Sequence, residues 1–407
     1  MIVLSREGIV FLFTIVVFIS ACNPPSNDEI AEKYIEFTFE KADHHLEEPY
    51  LTVNEQGQPM LSWIEKSDNG NQFKFAVWDG TEWGEEKLIA SGEDWFVNWA
   101  DYPQIAGFAD GSLMAVFLQK SGSGTFAYDV MTTFSENGEV WSEAKVLHDD
   151  GTQTEHGFVS MVPWGENMLI SWLDGRNTAG ASHGDDGHHH HGQMSLRAAL
   201  LDTEGNKIEE WELDNRVCDC CQTGITMTEN GPVIVFRDRT DSEIRDIGMI
   251  RWNDGQWTET EPVYMDLWEI AACPVNGPRI TSYEKQLAIA WYTAANGNPE
   301  VKLIFSEDSG LSFKEPIKID LGNTLGRIGL EFIDDRKVLV SWMENNRIMA
   351  RTVSVDGELG RPIEVATSSE KRSSGFPQLT FDGKNSWVAW TDDQDELKKI
   401  RIKKFPE

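Results

Sequence analysis

The chain has 407 residues, with 68 acidic against 35 basic side chains and a formal net charge of −33 at pH 7. Nucleic acid and anionic lipid would both be repelled by so negative a surface, so neither is expected as a partner. The length suffices for one large domain or two ordinary ones. No Pro/Ser-rich linker or shift of composition divides it.

Residues 1–21 read as a secretory leader. Arg6 supplies the positive start, Ile9 to Ile19 an apolar run short for a membrane span, and Ile19-Ser20-Ala21-Cys22 closes it. That ending resembles a bacterial lipobox, which implies cleavage before Cys22 and lipidation of its thiol. Residues 22–32, including Asn23-Pro24-Pro25-Ser26, would then tether a domain of residues 33–407. The expected place is a bacterial cell-envelope membrane outside the cytoplasm (the outer membrane, on its periplasmic side or its surface), with the lipid as sole membrane contact and the domain monomeric.

From there a short strand pair recurs about every 50 residues, each copy ending in an aromatic residue: Trp63, Phe117, Trp172, Phe236, Trp291, Trp342 and Trp390. A strand enters each copy, as in Pro49 to Val53, and a turn such as that at Gly57 returns it to the landmark. A third strand follows, as in Phe73 to Trp78, Arg245 to Trp252 or Val301 to Phe305. After another turn comes a fourth, such as Lys87 to Ile89 or Ile317 to Ile319. Four short alternating strands at this period predict an all-β fold: a single β-propeller of seven blades, with six as the alternative count. The seventh copy stops at its third strand, Ile400 to Ile402. Tyr34 to Phe39 is available to supply the fourth and so close the ring from the N-terminus, which would remove an exposed edge. At one phase in every copy, the landmarks are core between blades.

Ser306-Glu307-Asp308-Ser309-Gly310-Leu311-Ser312-Phe313 resembles the Asp box of the sialidase (BNR-repeat) superfamily, and Trp78 to Trp83, Glu136 to Trp141 and Trp252 to Trp257 are weaker echoes. The resemblance implies a propeller stapled at these turns and, if there is turnover at all, glycoside hydrolysis of the sialidase kind. The chain departs from working sialidases in lacking their Arg-Ile-Pro motif and in having seven copies where they have six blades. It more closely resembles bacterial sialidase-like lipoproteins carrying Cys-Asp-Cys-Cys-Gln-Thr and Cys-Pro-Val-Asn-Gly-Pro, here residues 218–223 and 273–278. That likeness implies no particular activity.

Loops entering first strands and leaving second strands share one face of a propeller, and the unusual residues fall in them. Asp101, Glu155 and Asp238 are the carboxylates suited to hydrolysis, with His156 as a proton carrier. Tyr102, Tyr128 and Tyr292 are candidate aryl nucleophiles or stacking platforms. Arg176, Arg237, Arg239, Arg327 and Arg372 suit an anionic glycan or acidic small molecule, the plain alternative being ion pairs with neighbouring aspartates. Trp99 is out of phase with the landmarks and suits stacking on a sugar. Cys218, Cys220, Cys221 and Cys273 read most simply as disulfide-bonded, with Cys273 joined to the cluster. The sharper reading is a copper or zinc site with His188, His189, His190 and His191, which otherwise form a solvated insertion. No cofactor is required by the sequence. The three functional readings are a glycan-binding or glycan-cleaving propeller, an envelope metal-binding protein, and a scaffold for protein partners.

Overall fold

Each repeat folds into one antiparallel sheet, because alternating side chains send an apolar row to each neighbouring sheet while glycine-bearing turns reverse the chain. Gly57 and Gly111, at φ of 73° and 87°, occupy two such turns in a conformation that side chains rarely adopt. In the computed structural model, which describes residues 34–180 and 192–406, seven sheets result. They span residues 45–92, 104–146, 156–214, 224–264, 279–318, 324–367, and 378–406 together with Ile35–Phe39, and are called blades 1 to 7 in that order. The count is seven, not six.

The first strand of each blade contacts the first strands of the two neighbouring blades, and blade 7 contacts blade 1, so the inner strands surround an axis. The fourth strand of blade 7 is Ile35–Phe39, paired antiparallel with Lys399–Pro406 so that Phe37 lies opposite Ile402. In blade 4 the outer position is taken by Glu261–Tyr264, with Gln256–Trp257 as a short extra pairing on the same third strand.

The seven landmark aromatics are all buried. A polar residue two positions after the aromatic has a role in two blades. Asp174 accepts the indole N–H of Trp172 at 2.9 Å, and Glu344 that of Trp342 at 2.7 Å. A buried indole N–H without a partner would cost free energy, so this spacing lets tryptophan fill the inter-blade core. At the turn after Glu300–Ser306, Asp308 accepts the Ser312 backbone N–H at 2.8 Å and the Ser306 hydroxyl at 2.7 Å, while Phe313 packs beneath. The turn is stapled to its sheet, away from the loop face.

Candidate functional site

The first strands of blades 1, 3 and 6 break register just inside their start, between Glu47 and Tyr50, Gly157 and Ser160, and Gly326 and Gly329. Glu48, Phe158 and Arg327 there have φ of 57°, 55° and 52°. Bulges of this kind re-aim side chains at a sheet end, and here they turn polar groups toward the loop face around the axis.

Two predicted carboxylates meet there. The Tyr128 hydroxyl lies 3.1 Å from Asp101 Oδ2 and 3.0 Å from Glu155 Oε1, and the Phe158 N–H donates to Asp101 Oδ1 at 2.8 Å. Burial raises Asp101 to about 7, against the lowering effect of those two donors. Burial likewise raises Glu155 to about 8, helped by the charges of Asp101, Asp219 and Cys273. Glu48, also raised by burial, adds a third carboxyl. A hydroxyl has one proton to give, so Tyr128 donates to one carboxyl and accepts from the other. The pair therefore retains a proton near neutrality. Tyr128 has no exposed surface and stacks on Phe96 at 4.0 Å, so it backs the carboxyls and is closed to attack on a ligand. Glu155 is the member that reaches solvent. The other two candidate tyrosines are elsewhere: Tyr102 is a buried partner of Arg279, and Tyr292 packs edge-on against Trp268.

Beside this group lie the cysteines. Cys218 and Cys221 are buried, Cys220 is half-buried and Cys273 exposed. Cys220 interacts with Cys218, Cys221 and Cys273, so two loops from adjacent blades converge on one sulfur. The Cys218 and Cys221 sulfurs are 3.6 Å apart, against about 2.04 Å for a bond. The expected disulfide from Cys273 to the cluster is not formed, and all four thiols are free. Arg245 Nη1 donates to Cys218 Sγ at 3.2 Å. Hydrogen bonds from Cys220 and Cys221, together with the Arg245 charge, hold the Cys218 thiol well below its usual range, while burial pushes Cys221 up. Asp219 pairs with Arg239 at 3.2 Å, and Glu243 joins Arg239 and Arg245 at 2.7 and 2.8 Å.

Four of the five predicted arginines are used inside the protein. Arg237 donates to the carbonyls of Asn276, Arg245 and Tyr292 and lies over Trp268. Arg176 grips Asp174, and Arg239 its two acids. Arg327 bonds Ser374, Gly375 and Lys371, and burial lowers it to about 10. Arg372 is exposed. Trp99 stacks on Phe376 at 5.6 Å and carries Arg327 and Arg372 over its ring, so little of it is left for a sugar. Asp238, raised to about 6 by burial, has Arg239, Asp214, Asp246 and Arg216 around it and is not part of the acid pair. The residues His188–His191 and Cys22 lie outside the described residues.

Sequence reasoning missed four participants. Arg245 touches the thiol, and Glu48 joins the carboxyls. Gln222 spans the axis, donating to the Ala100 carbonyl and accepting the Gly277 N–H at 3.0 Å. Below it an axial cavity of about 160 Å³ is lined by Tyr50, Gln104, Ser160, Arg279, Glu331 and Gln378 among others. The fourth is His148, stacked on His156 at 3.6 Å with a 9° tilt. His156 itself has no exposed surface. The signal for His148 was its place two residues before Asp150, in the segment leading from blade 2 into Glu155-His156.

No family model matches the sequence, and no curated protein matches it. Among solved structures, a Dyadobacter fermentans protein of unknown function is 13% identical, with 92% of this chain and 98% of that one covered at a TM-score of 0.51. An α-L-arabinanase from Penicillium chrysogenum, complexed with arabinobiose, is 10% identical over 92% and 98% at 0.52. A Hadza microbial sialidase is 11% identical over 84% and 76% at 0.49. The neighbours thus include named carbohydrate enzymes built on β-propellers, and at these identities the likeness is one of fold.

Proposed function

We propose that this chain is an envelope-anchored propeller that binds a soft metal ion, copper(I) or zinc, through Cys218, Cys220, Cys221 and Cys273. The observation that supports it is the gathering of three unpaired thiols, Cys218, Cys220 and Cys221, with sulfurs within 4.8 Å of one another, and the approach of Cys273 from the adjacent blade to Cys220. The 3.6 Å between Cys218 and Cys221 is close to the edge, roughly 3.8 Å, of a tetrahedron with metal–sulfur bonds of about 2.3 Å. Thiolates this dense select copper(I) or zinc. Arg245 would offset their charge and orient Cys218 as an outer partner of the ion. The test is metal content and free-thiol titration on the mature domain purified without an added His tag. One copper or zinc per chain, lost on Cys220→Ser, is expected. Protein that takes up neither ion under reducing conditions would overturn the reading.

One observation favours a second reading, the binding or hydrolysis of an anionic glycan. Glu155 is a half-buried carboxyl that keeps its proton near neutrality, as a general acid for a glycosidic oxygen must. Arg372, exposed on the same face, would meet an acidic sugar. Screening neutral and acidic glycans for binding and cleavage, with Glu155→Gln as control, decides it: turnover that the variant abolishes supports hydrolysis, and no binding to any acidic glycan excludes the reading.

A further inference from the structure

We infer that a second cation site lies where blade 2 meets blade 3, in which His148, His156 and Asp129 hold a divalent first-row transition ion and Asp150 backs both imidazoles. It shares no residue with the thiol cluster and goes beyond either functional reading.

The inference starts from hydrogen-bond accounting. The two stacked rings run in opposite directions, so that His148 Nδ1 and His156 Nε2 share one edge and His148 Nε2 and His156 Nδ1 the other. On the first edge stands Asp150, with Oδ2 at 2.8 Å from His148 Nδ1 and 3.1 Å from His156 Nε2. Asp174 Oδ1 is 3.7 Å from the same His156 nitrogen, but its carboxylate is already gripped by Arg176 and by the Trp172 indole. Carboxylates only accept, so the Nδ1 of His148 must carry the proton there, which leaves its Nε2 a bare lone pair.

That lone pair is buried and has no hydrogen-bond partner, and neither has Asp129 Oδ1, which it faces at 3.6 Å; His156 Nε2, on the opposite edge, is likewise unpartnered. Two acceptors confronting each other in a buried space repel unless a cation lies between them. His156 Nδ1 is 3.9 Å from the same Asp129 oxygen, and the carbonyl oxygens of Thr154 and Tyr128 stand 3.2 and 3.4 Å from that nitrogen. Carbonyls only accept, so without an ion His156 Nδ1 carries a proton toward them, and an ion on this edge would displace that proton and shift it to Nε2. The ligand atoms of His148, His156 and Asp129 all lie within 4.8 Å of one another. A metal bonded there would leave His148 Nδ1 protonated and hydrogen-bonded to Asp150, which is the carboxylate–histidine–metal arrangement that fixes ring orientation in metal sites, with His156 Nε2 3.1 Å from the same oxygen.

Charge points the same way. Asp129, Asp150 and Asp174 face the pair, and among the described residues Arg176, which also meets Glu210, is the one permanent cation paired with them. Two excess negative charges remain, and one divalent ion balances them. Protonating both rings would balance them too, but would stack two imidazolium cations face to face at 3.6 Å. Mixed nitrogen–oxygen ligands favour manganese, iron, cobalt or zinc over a soft ion.

Manganese(II) is the useful probe, because thiolates compete poorly for it. The full mature chain, stripped with a chelator, is titrated with Mn²⁺ while free Mn²⁺ is followed by electron paramagnetic resonance, and melting is recorded with and without the ion. The expected result is one Mn²⁺ per chain, weakened at least tenfold in His148→Gln and in Asp129→Asn and unchanged in Cys220→Ser, with a metal-dependent rise in melting temperature. The inference is overturned if the unaltered chain binds no Mn²⁺, Co²⁺ or Zn²⁺ that leaves the Cys220→Ser variant unaffected. Binding that both folded variants retain overturns it as well. Should either variant fail to fold, the chelator-reversible melting shift of the unaltered chain decides. Loss of the thiol-site reading would leave the manganese result standing.

Discussion

Asp101 shows how a single residue was half legible. Its loop position and acidity marked it as functional, but its partners are Tyr128, 27 positions on, and Phe158, 57 positions on, and nothing local announces contacts across two blades. Folding gives its carboxyl a value of about 7, against about 3.9 when unfolded. The folded state therefore holds the proton more tightly. The stability this confers is complete below about pH 4, declines as pH rises, and is lost above about pH 7. Asp101→Asn keeps an oxygen for the Phe158 N–H and a donor for Tyr128. Relative to the unaltered protein it should gain stability between pH 5 and pH 8, by at most ~3 kcal/mol, read from urea unfolding midpoints at the two values. Glu48 and Glu155 titrate nearby and are both raised by the Asp101 charge, so the difference reports Asp101 together with its coupling to them. Gly157 guards the same carboxylate: a Cβ there would fall 2.0 Å from Asp101 Oδ2. Gly157→Ala should cost about 1–3 kcal/mol by overpacking, measured in the same way, and equal stability would show that the loop yields.

At the scale of the element, the strands were legible because each satisfies a local rule. An apolar–polar alternation, a glycine turn and an aromatic landmark set each hairpin, whichever blade it joins. Trp342 illustrates what the landmark does: its ring fills the core shared by blades 5 and 6, and its N–H is met by Glu344. Trp342→Ala should destabilise the domain by roughly 3–5 kcal/mol, whereas Trp342→Phe should lose less, since it fills most of the volume and strips only the Glu344 hydrogen bond. The N-terminal strand makes a separate case. Phe37 and Phe39 pack with Trp63, Trp78, Trp83 and Trp387, joining a strand from one end of the chain to three from the other. Deleting Ile35–Phe39 would bare both the edge of Lys399–Pro406 and this aromatic cluster. Self-association in light scattering is then expected, and a monomeric, equally stable truncation would show that the blade holds with three strands.

The whole molecule decides what the site contains, and this level was hidden in the sequence. Loop residues were visible as unusual, but which of them touch depends on the order of blades around the ring: Gln222 bonds the backbone of residue 100 because blades 2 and 4 face the same axis. The arginines read as a free anion-binding patch because a chain with a charge of −33 gives a local basic cluster the look of purpose. Their internal partners, mostly backbone carbonyls for Arg237 and Arg327, carry no sequence signal. The same net charge has a consequence for the folded domain. Excess carboxylates repel one another more strongly in the compact ring than in the unfolded chain, and many of the surface pairs, such as Arg336 with Asp356, are exposed and worth little. Added salt screens both, with a Debye length falling from about 10 Å at 0.1 M to about 3 Å at 1 M. Because repulsion outnumbers attraction across the surface, the net effect should be stabilising, and the melting temperature should rise between 0.05 and 0.5 M sodium chloride. A fall would mean that the exposed ion pairs outweigh the surplus of acid, as in a structure held by networks of charge.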